Sequence, residues 1–300
     1  MRPSLAGSLV KGLWPLVVGV ALAVLVQLVV RPMLEPYPAK LLLDIGINVI
    51  LAVSLTMVNG FTGQFSMGHA GFMAVGGYAS GIVTYYVSMR AWGDGNAAGG
   101  MLSGIIGGEG LPILTKGDLL FLFSLIVGGL VAGVLGIAVG LPSLRLRGDY
   151  LAIVTLGFGE IVRVMIQQTQ PVLSSAEEVQ AAPVWTLPAH VGGSLGFSGI
   201  PTYNSLFWVY LGVAVTLIVA FRLKTGTFGR AFLSIREDEI AAEAMGIRTT
   251  RYKVTAFVVA AFFAGIAGGL FSHTLGIGLS AEAAGFMKSF DVIIMVVLGG

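Results

Sequence analysis

The residues of this chain that could do chemistry are few, and they fall into three groups. Glu160 and Arg163 stand three apart in an otherwise apolar run, so on a helix they share a face and can neutralise each other. A carboxylate so placed either lines a polar path or forms a structural ion pair that ties helices together, and the spacing alone leaves both readings open. Asn59, Gln64 and His69 fall in a polar, glycine-bearing break between two apolar runs, where they serve either in gating or as an ordinary loop. Arg236, Glu237, Asp238, Glu239 and Glu243 cluster within 222–253, a segment holding 7 of the 17 basic residues. His273 reads as a histidine at a helix end rather than a ligand, and Asp44 and Asp291 have no partner that the sequence identifies.

None of these groups assembles a nucleophile, base and oxyanion donor. Zero cysteines exclude disulfides, zinc-thiolate sites, iron–sulfur clusters and thiol nucleophiles, and only 3 scattered histidines argue against a metal site. There is no HExxH and no Gly-Lys dipeptide, hence no P-loop to cradle a nucleotide. We expect no catalytic residue, no metal and no cofactor.

The elements that must position these residues are membrane helices. The chain is 56% apolar and 11% charged, with a mean hydropathy of +0.91, outside the range of soluble domains. A net charge of +2 gives no basic field for nucleic acid. Crossing about 30 Å of hydrocarbon takes roughly 20 apolar residues. Leu13 to Val30 is the first such run; its end lacks the small-x-small pattern of a cleaved leader, so it reads as a retained anchor. The stretch from Ile45 to Met89 has no charged residue and is too long for one helix, so it divides at the break into spans near 41–58 and 69–88. Further spans are Leu119–Leu141, Tyr150–Ile166, Leu206–Phe221 and Val254–Ser272, and a last run begins near Phe290. That run reaches Gly300 at about half a crossing, so the chain is expected to end inside a helix.

The prediction is an all-α, glycine-rich polytopic bundle of about eight membrane helices. It forms a single transmembrane unit over 1–300, with 1–40 as an anchor helix and loop. With the N-terminus cytoplasmic, inner segments hold Arg2, Lys11, Arg145, Arg147 and all seven cations of 222–253, which leaves six elsewhere. Loops 90–118 and 167–205 are then external. The 44 glycines, with pairs such as Gly77/Gly81 and Gly265/Gly269, predict close helix packing.

Residues 222–253 form a solvated segment between two spans. Gly229 and Gly246 bracket good helix formers, and Ile240, Ala244 and Ile247 share a face. Such a helix fits a groove on a partner, or is a plain cytoplasmic loop. Arg236-Glu237-Asp238-Glu239-Ile240-Ala241-Ala242-Glu243-Ala244-Met245-Gly246 resembles the cytoplasmic coupling loop of ABC-importer permeases. Further stretches are similar to the LivM-type subunits of the branched-chain amino acid permease family. They are Asn59 to Phe72, Leu144-Arg145-Leu146-Arg147-Gly148-Asp149-Tyr150, Thr155-Leu156-Gly157-Phe158-Gly159-Glu160-Ile161-Val162-Arg163 and Met295-Val296-Val297-Leu298-Gly299-Gly300. The likeness runs from about residue 41 to the end; the family continues beyond the final Gly-Gly.

The resemblance implies a permease for leucine, isoleucine and valine in a cell inner membrane. It implies pairing with a second related permease, two cytoplasmic ATP-binding subunits and a periplasmic substrate-binding protein. On it Arg236, Glu237, Asp238, Glu239 and Glu243 contact the ATPase and Gly246 permits the turn away, while Asn59, Gln64, His69, Glu160 and Arg163 are candidates for the translocation path. Related permeases carry urea or short amides. A secondary transporter driven by an ion gradient fits the broken helices and the buried carboxylate, but has no use for a docking helix. Charge reversal at Glu239 and Glu243 is expected to uncouple ATP hydrolysis from uptake while membrane insertion survives, measured by transport and ATPase assays on the same preparation.

Overall fold

The computed structural model describes residues 5–93, 115–143, 150–274 and 278–299. Its helices are Leu5–Leu25 (α1), Pro36–Asn59 (α2), His69–Trp92 (α3), Lys116–Ser143 (α4), Tyr150–Gln167 (α5), Ala176–Ala181 (α6), Leu206–Thr225 (α7), Thr227–Glu237 (α8), Glu239–Ala244 (α9), Thr249–Ser272 (α10) and Phe286–Gly299 (α11). Among the described residues the only strand-like pairing is an isolated bridge between Phe197 and Leu279. Among the described residues six helices are long and apolar enough to cross a membrane: α1 with its continuation to Met33, α2, α4, α5, α7 and α10. The chain is therefore a multi-pass, all-α membrane protein, and every predicted span lies on a helix. Two of the eight, α3 and the 14-residue α11, fall outside that set of six.

The exception of α3 has a physical cause. It carries His69, Ser80, Thr84 and Ser88, all buried, because protein rather than lipid surrounds it. α4 and α10 pack along it with almost no side chains between backbones. A Cβ on Gly76 would strike the Gly265 backbone, one on Gly128 would lie 2.6 Å from the Gly76 carbonyl, and one on Gly265 would lie 2.7 Å from the Gly128 carbonyl. Three helices thus meet backbone to backbone, which only glycine allows. Polar side chains in this core are paired across helices: Ser80 with Ser124 at 2.9 Å, and Thr84 with His273 at 2.7 Å.

The other helices surround that trio. α2 packs on α10 and α7, and α1 lies outside α7 with Gly19 against Ala214. In the π-helical turn that extends α1, buried Gln27 accepts the free Phe207 N–H at the start of α7 at 3.2 Å. This satisfies one of the donors that every helix start leaves open.

The two ends of the bundle differ. At one end lie the 60–68 loop and the α8–α9 elbow, joined where the Arg236 guanidinium donates to the Gly60 carbonyl at 2.9 Å. At the other, residues 168–205 fold into an ordered cap over the tyrosines of α3. Tyr85 donates to the Leu173 carbonyl at 3.0 Å, Tyr86 to that of His190, and Arg90 to those of Val179 and Ala182. Phe197 exchanges backbone hydrogen bonds with Leu279, and Tyr78 donates to the Leu279 carbonyl at 2.8 Å.

Gly265→Leu is expected to drive α10 off α3 and α4, costing about 3 kcal/mol or more because rigid backbone cannot yield. Gly157→Ala, with nothing within 4 Å of the added carbon, should change little. Melting temperatures of the two variants in detergent, compared with the parent, test the difference.

Candidate functional site

The charged segment folds differently from the single helix expected between two bracketing glycines. α8 begins at Thr227, directly after α7, and Gly229 lies inside it, where a Cβ would collide with the Lys224 carbonyl. The chain then breaks at Asp238, whose backbone is extended (φ −155°, ψ 111°) and whose carboxylate caps α9 by accepting the N–H groups of Ile240 at 2.8 Å and Ala241 at 3.0 Å. An aspartate at this position competes with helix continuation and starts a new one, and nothing in apolar periodicity reveals it. Gly246 closes α9 with φ +84°, a conformation costly for any residue with a Cβ.

The remaining carboxylates divide their tasks. Glu239 forms an ion pair with Lys253 at 2.6 Å, and Thr249 donates to Glu243 at 2.6 Å, so both hold α9 against the base of α10. Tyr252 packs on Phe228 and Phe232, fixing α8 to the same base. Glu237 is exposed and makes no hydrogen bond or ion pair among the described residues. Ile240 on α9 and Met245 just past its end present apolar side chains outward, 71% and 83% exposed.

Behind the elbow, the 60–68 loop is held by its own side chains. Asn59 accepts the Ser66 N–H at 3.2 Å, Thr62 donates to the Val58 carbonyl at 2.8 Å and lies 3.5 Å from the Gln64 amide oxygen, and Thr155 of α5 accepts the Met67 N–H at 3.0 Å. His69 is buried, its Nε2 2.7 Å from the Ser54 hydroxyl of α2. Asn59, Phe65, Leu233 and Arg236 line a cavity of about 410 Å³ between this loop, α8 and the end of α11.

Glu160 and Arg163 form an ion pair at 2.7 Å, and the second Glu160 oxygen accepts the Phe286 N–H at 3.1 Å. The carboxylate therefore links α5 to the start of α11. Thus Arg236, Asn59 and Gln64 come together at the elbow end, His69 lies deeper, and Glu160 with Arg163 forms a separate group. His273 is buried, 2.6 Å from the Gly269 carbonyl, beside Ser272 and Thr84.

Two features escaped sequence reading. Gly192-Gly193-Ser194-Leu195-Gly196 spells GxSxG, but Ser194 sits exposed in a 3-10 turn of the cap with no histidine bonded to it among the described residues, so the string is not a nucleophile elbow. The second is a cavity of about 260 Å³ lined by Lys40, Asp44, Asn48 and Lys288. The spacing of 40, 44 and 48 on α2 is a helical stripe that was legible; its meeting with Lys288 from α11 was not. The Leu144–Asp149 motif lies outside the described residues.

The described residues form a multi-pass helical membrane bundle with a structured charged elbow at one end, an architecture consistent with a membrane permease. Residues 37–300 match the family model described as branched-chain amino acid transport system / permease component, and the chain belongs to that family. It is 34% identical over 270 residues to the high-affinity branched-chain amino acid transport system permease proteins LivM of Salmonella typhimurium and of Escherichia coli, covering 85% of this chain and 56% of each relative. A probable branched-chain amino acid transport permease protein LivM of Methanocaldococcus jannaschii is 26% identical over 87% of this chain and 74% of its own length. The chain thus spans about half the length of the first two relatives. No solved structure matches it.

Asp238→Ala removes the acceptor for two N–H groups and should weaken α9 by about 1 kcal/mol, read as roughly fivefold faster hydrogen exchange at Ile240 and Ala241 with α10 unchanged.

Proposed function

We propose that the chain is the transmembrane permease subunit of a binding-protein-dependent ABC importer for branched-chain amino acids. It works in the inner membrane with its N-terminus and elbow in the cytoplasm, and residues 1–300 act as one permease unit. In this reading it pairs with a second, related permease. Cytoplasmic ATP-binding subunits grip α8 and α9, and a periplasmic binding protein delivers substrate onto the cap. Family membership supports the class, and the names of the relatives support the substrate. Arg222, Lys224, Arg230, Arg236, Arg248 and Arg251 all lie at the elbow end, which favours a cytoplasmic location for it.

The observation that carries the reading is the elbow itself. Its internal carboxylates are spent on holding α9 to α10, while Ile240 and Met245 face outward beside the free Glu237. Exposed apolar side chains on a rigid helix next to a charge suit a partner's groove, in the manner of an amphipathic helix laid into a cleft. The ATP-driven motion of the partner would press on the elbow, and the Arg236–Gly60 contact gives that force a route to the end of α2 and the 60–68 loop. Gly246 lets the chain leave the groove and turn into α10.

Because Glu239 and Glu243 also brace α9, the cleaner lesion lies on the outward face. Ile240→Arg with Met245→Arg should reduce leucine uptake at least tenfold in reconstituted vesicles and release the ATPase subunits on purification, with the permease still inserted. Undiminished uptake by that variant, or uptake that collapses with a protonophore while ATP is held constant, would sink the assignment.

A further inference from the structure

Among the described residues, several polar groups at membrane depth are paired with one another. Ser54 meets His69, Ser80 meets Ser124, Thr84 meets His273 and Glu160 meets Arg163. Lys40, Asp44 and Asn48 follow one another at four-residue spacing on α2 and face Lys288 near the start of α11 across a cavity of about 260 Å³. Their side chains make no hydrogen bond or ion pair among the described residues, and neither ammonium lies within 4.0 Å of the Asp44 carboxylate. Counting from Pro36, Asp44 stands about 12 Å and Asn48 about 18 Å along the helix, well inside the hydrocarbon thickness.

An aspartate at that depth is costly unless something in the cavity answers it, and here two lysines stand close enough to sense it but too far to bond it. The gap between opposite charges is the shape that a molecule bearing both charges fills. Two cations against one carboxylate disfavour a metal ion or a coupling cation. Met73 and Phe271 supply an apolar wall beside the charges. Lys40 is exposed and Lys288 half-buried, both at the cap end, so the cavity is approached from the face opposite the elbow.

We infer that this cavity is a station on the translocation path that holds the zwitterionic head of an α-amino acid. The substrate ammonium lies on Asp44 and its carboxylate between Lys40 and Lys288, with the Asn48 amide below and the aliphatic side chain against Met73 and Phe271. The inference rests on the proposed importer function and adds to it the place where substrate is read within the membrane.

The native chain has no cysteine, so Asn48→Cys introduces a single thiol into it. In the assembled transporter in vesicles, a charged, membrane-impermeant thiol reagent should modify this chain from the cap side, and saturating leucine should slow the modification at least fivefold. Leucinamide, which lacks the carboxylate, and 4-methylpentanoate, which lacks the ammonium, should not protect. Asp44→Asn and Lys288→Gln should each lower leucine uptake at least tenfold while receptor-stimulated ATP hydrolysis persists. If the parent complex accumulates leucine, but the thiol is unprotected and both charge variants transport within twofold of it, the station is disproved and the importer reading stands. A parent complex that accumulates no branched-chain amino acid overturns the importer reading and the station with it.

Discussion

The structure depends on how closely three helices can approach where water gives no help. Lipid offers no hydrophobic gain for bringing apolar helices together, so α3, α4 and α10 are held by backbone contact through Gly76, Gly128 and Gly265 and by the hydroxyl and imidazole pairs beside them. That contact lets α3 be polar. A helix bearing His69, Ser80, Thr84 and Ser88 would be a poor neighbour for acyl chains, yet here each has a partner: Ser80 on α4, Thr84 at the end of α10, His69 on α2 and Ser88 on a carbonyl of α3 itself. The same rigid trio supplies a floor for the cap at one end and an anchorage for the elbow at the other.

The elbow is attached to the bundle in a specific way. Lys253 and Thr249 hold α9 from α10, Tyr252 holds α8, and Arg236 reaches the 60–68 loop, which in turn bonds Thr155 of α5. A load on the elbow therefore meets α10 and the end of α2 through direct contacts, and α5 through the 60–68 loop. The Glu160–Arg163 pair extends the same connectivity from α5 to α11 through the Phe286 N–H. The Glu160 carboxylate thus accepts one hydrogen bond from its own helix and one from the start of α11.

Much of this was legible in the sequence because membrane helices announce themselves by length and apolarity. The break between Asn59 and His69 and the charged interval before α10 both followed from where charge and glycine interrupt those runs. What was not legible depends on single side-chain choices and on contacts between distant residues. Asp238 splits the expected helix because its carboxylate captures two amides at once, a local competition that periodicity does not register. The cavity at Asp44 needs Lys288, a residue from the other end of the chain, and the ordering of 168–205 needs tyrosines on α3 whose register only the fold sets. A loop rich in Gly, Pro, Ser and Ala reads as solvent until its aromatic floor is known.

The cap's closing contact also dictates an order of birth. Tyr78 bonds the carbonyl of Leu279, 201 residues later in the chain. At ribosomal speeds of about 5–20 residues per second, that tyrosine waits roughly 10–40 s for its acceptor, already threaded into the bilayer while the helix that will shield it is still being made. For that interval the Tyr78 hydroxyl lacks its native acceptor, so this contact can close only after α10 has been made.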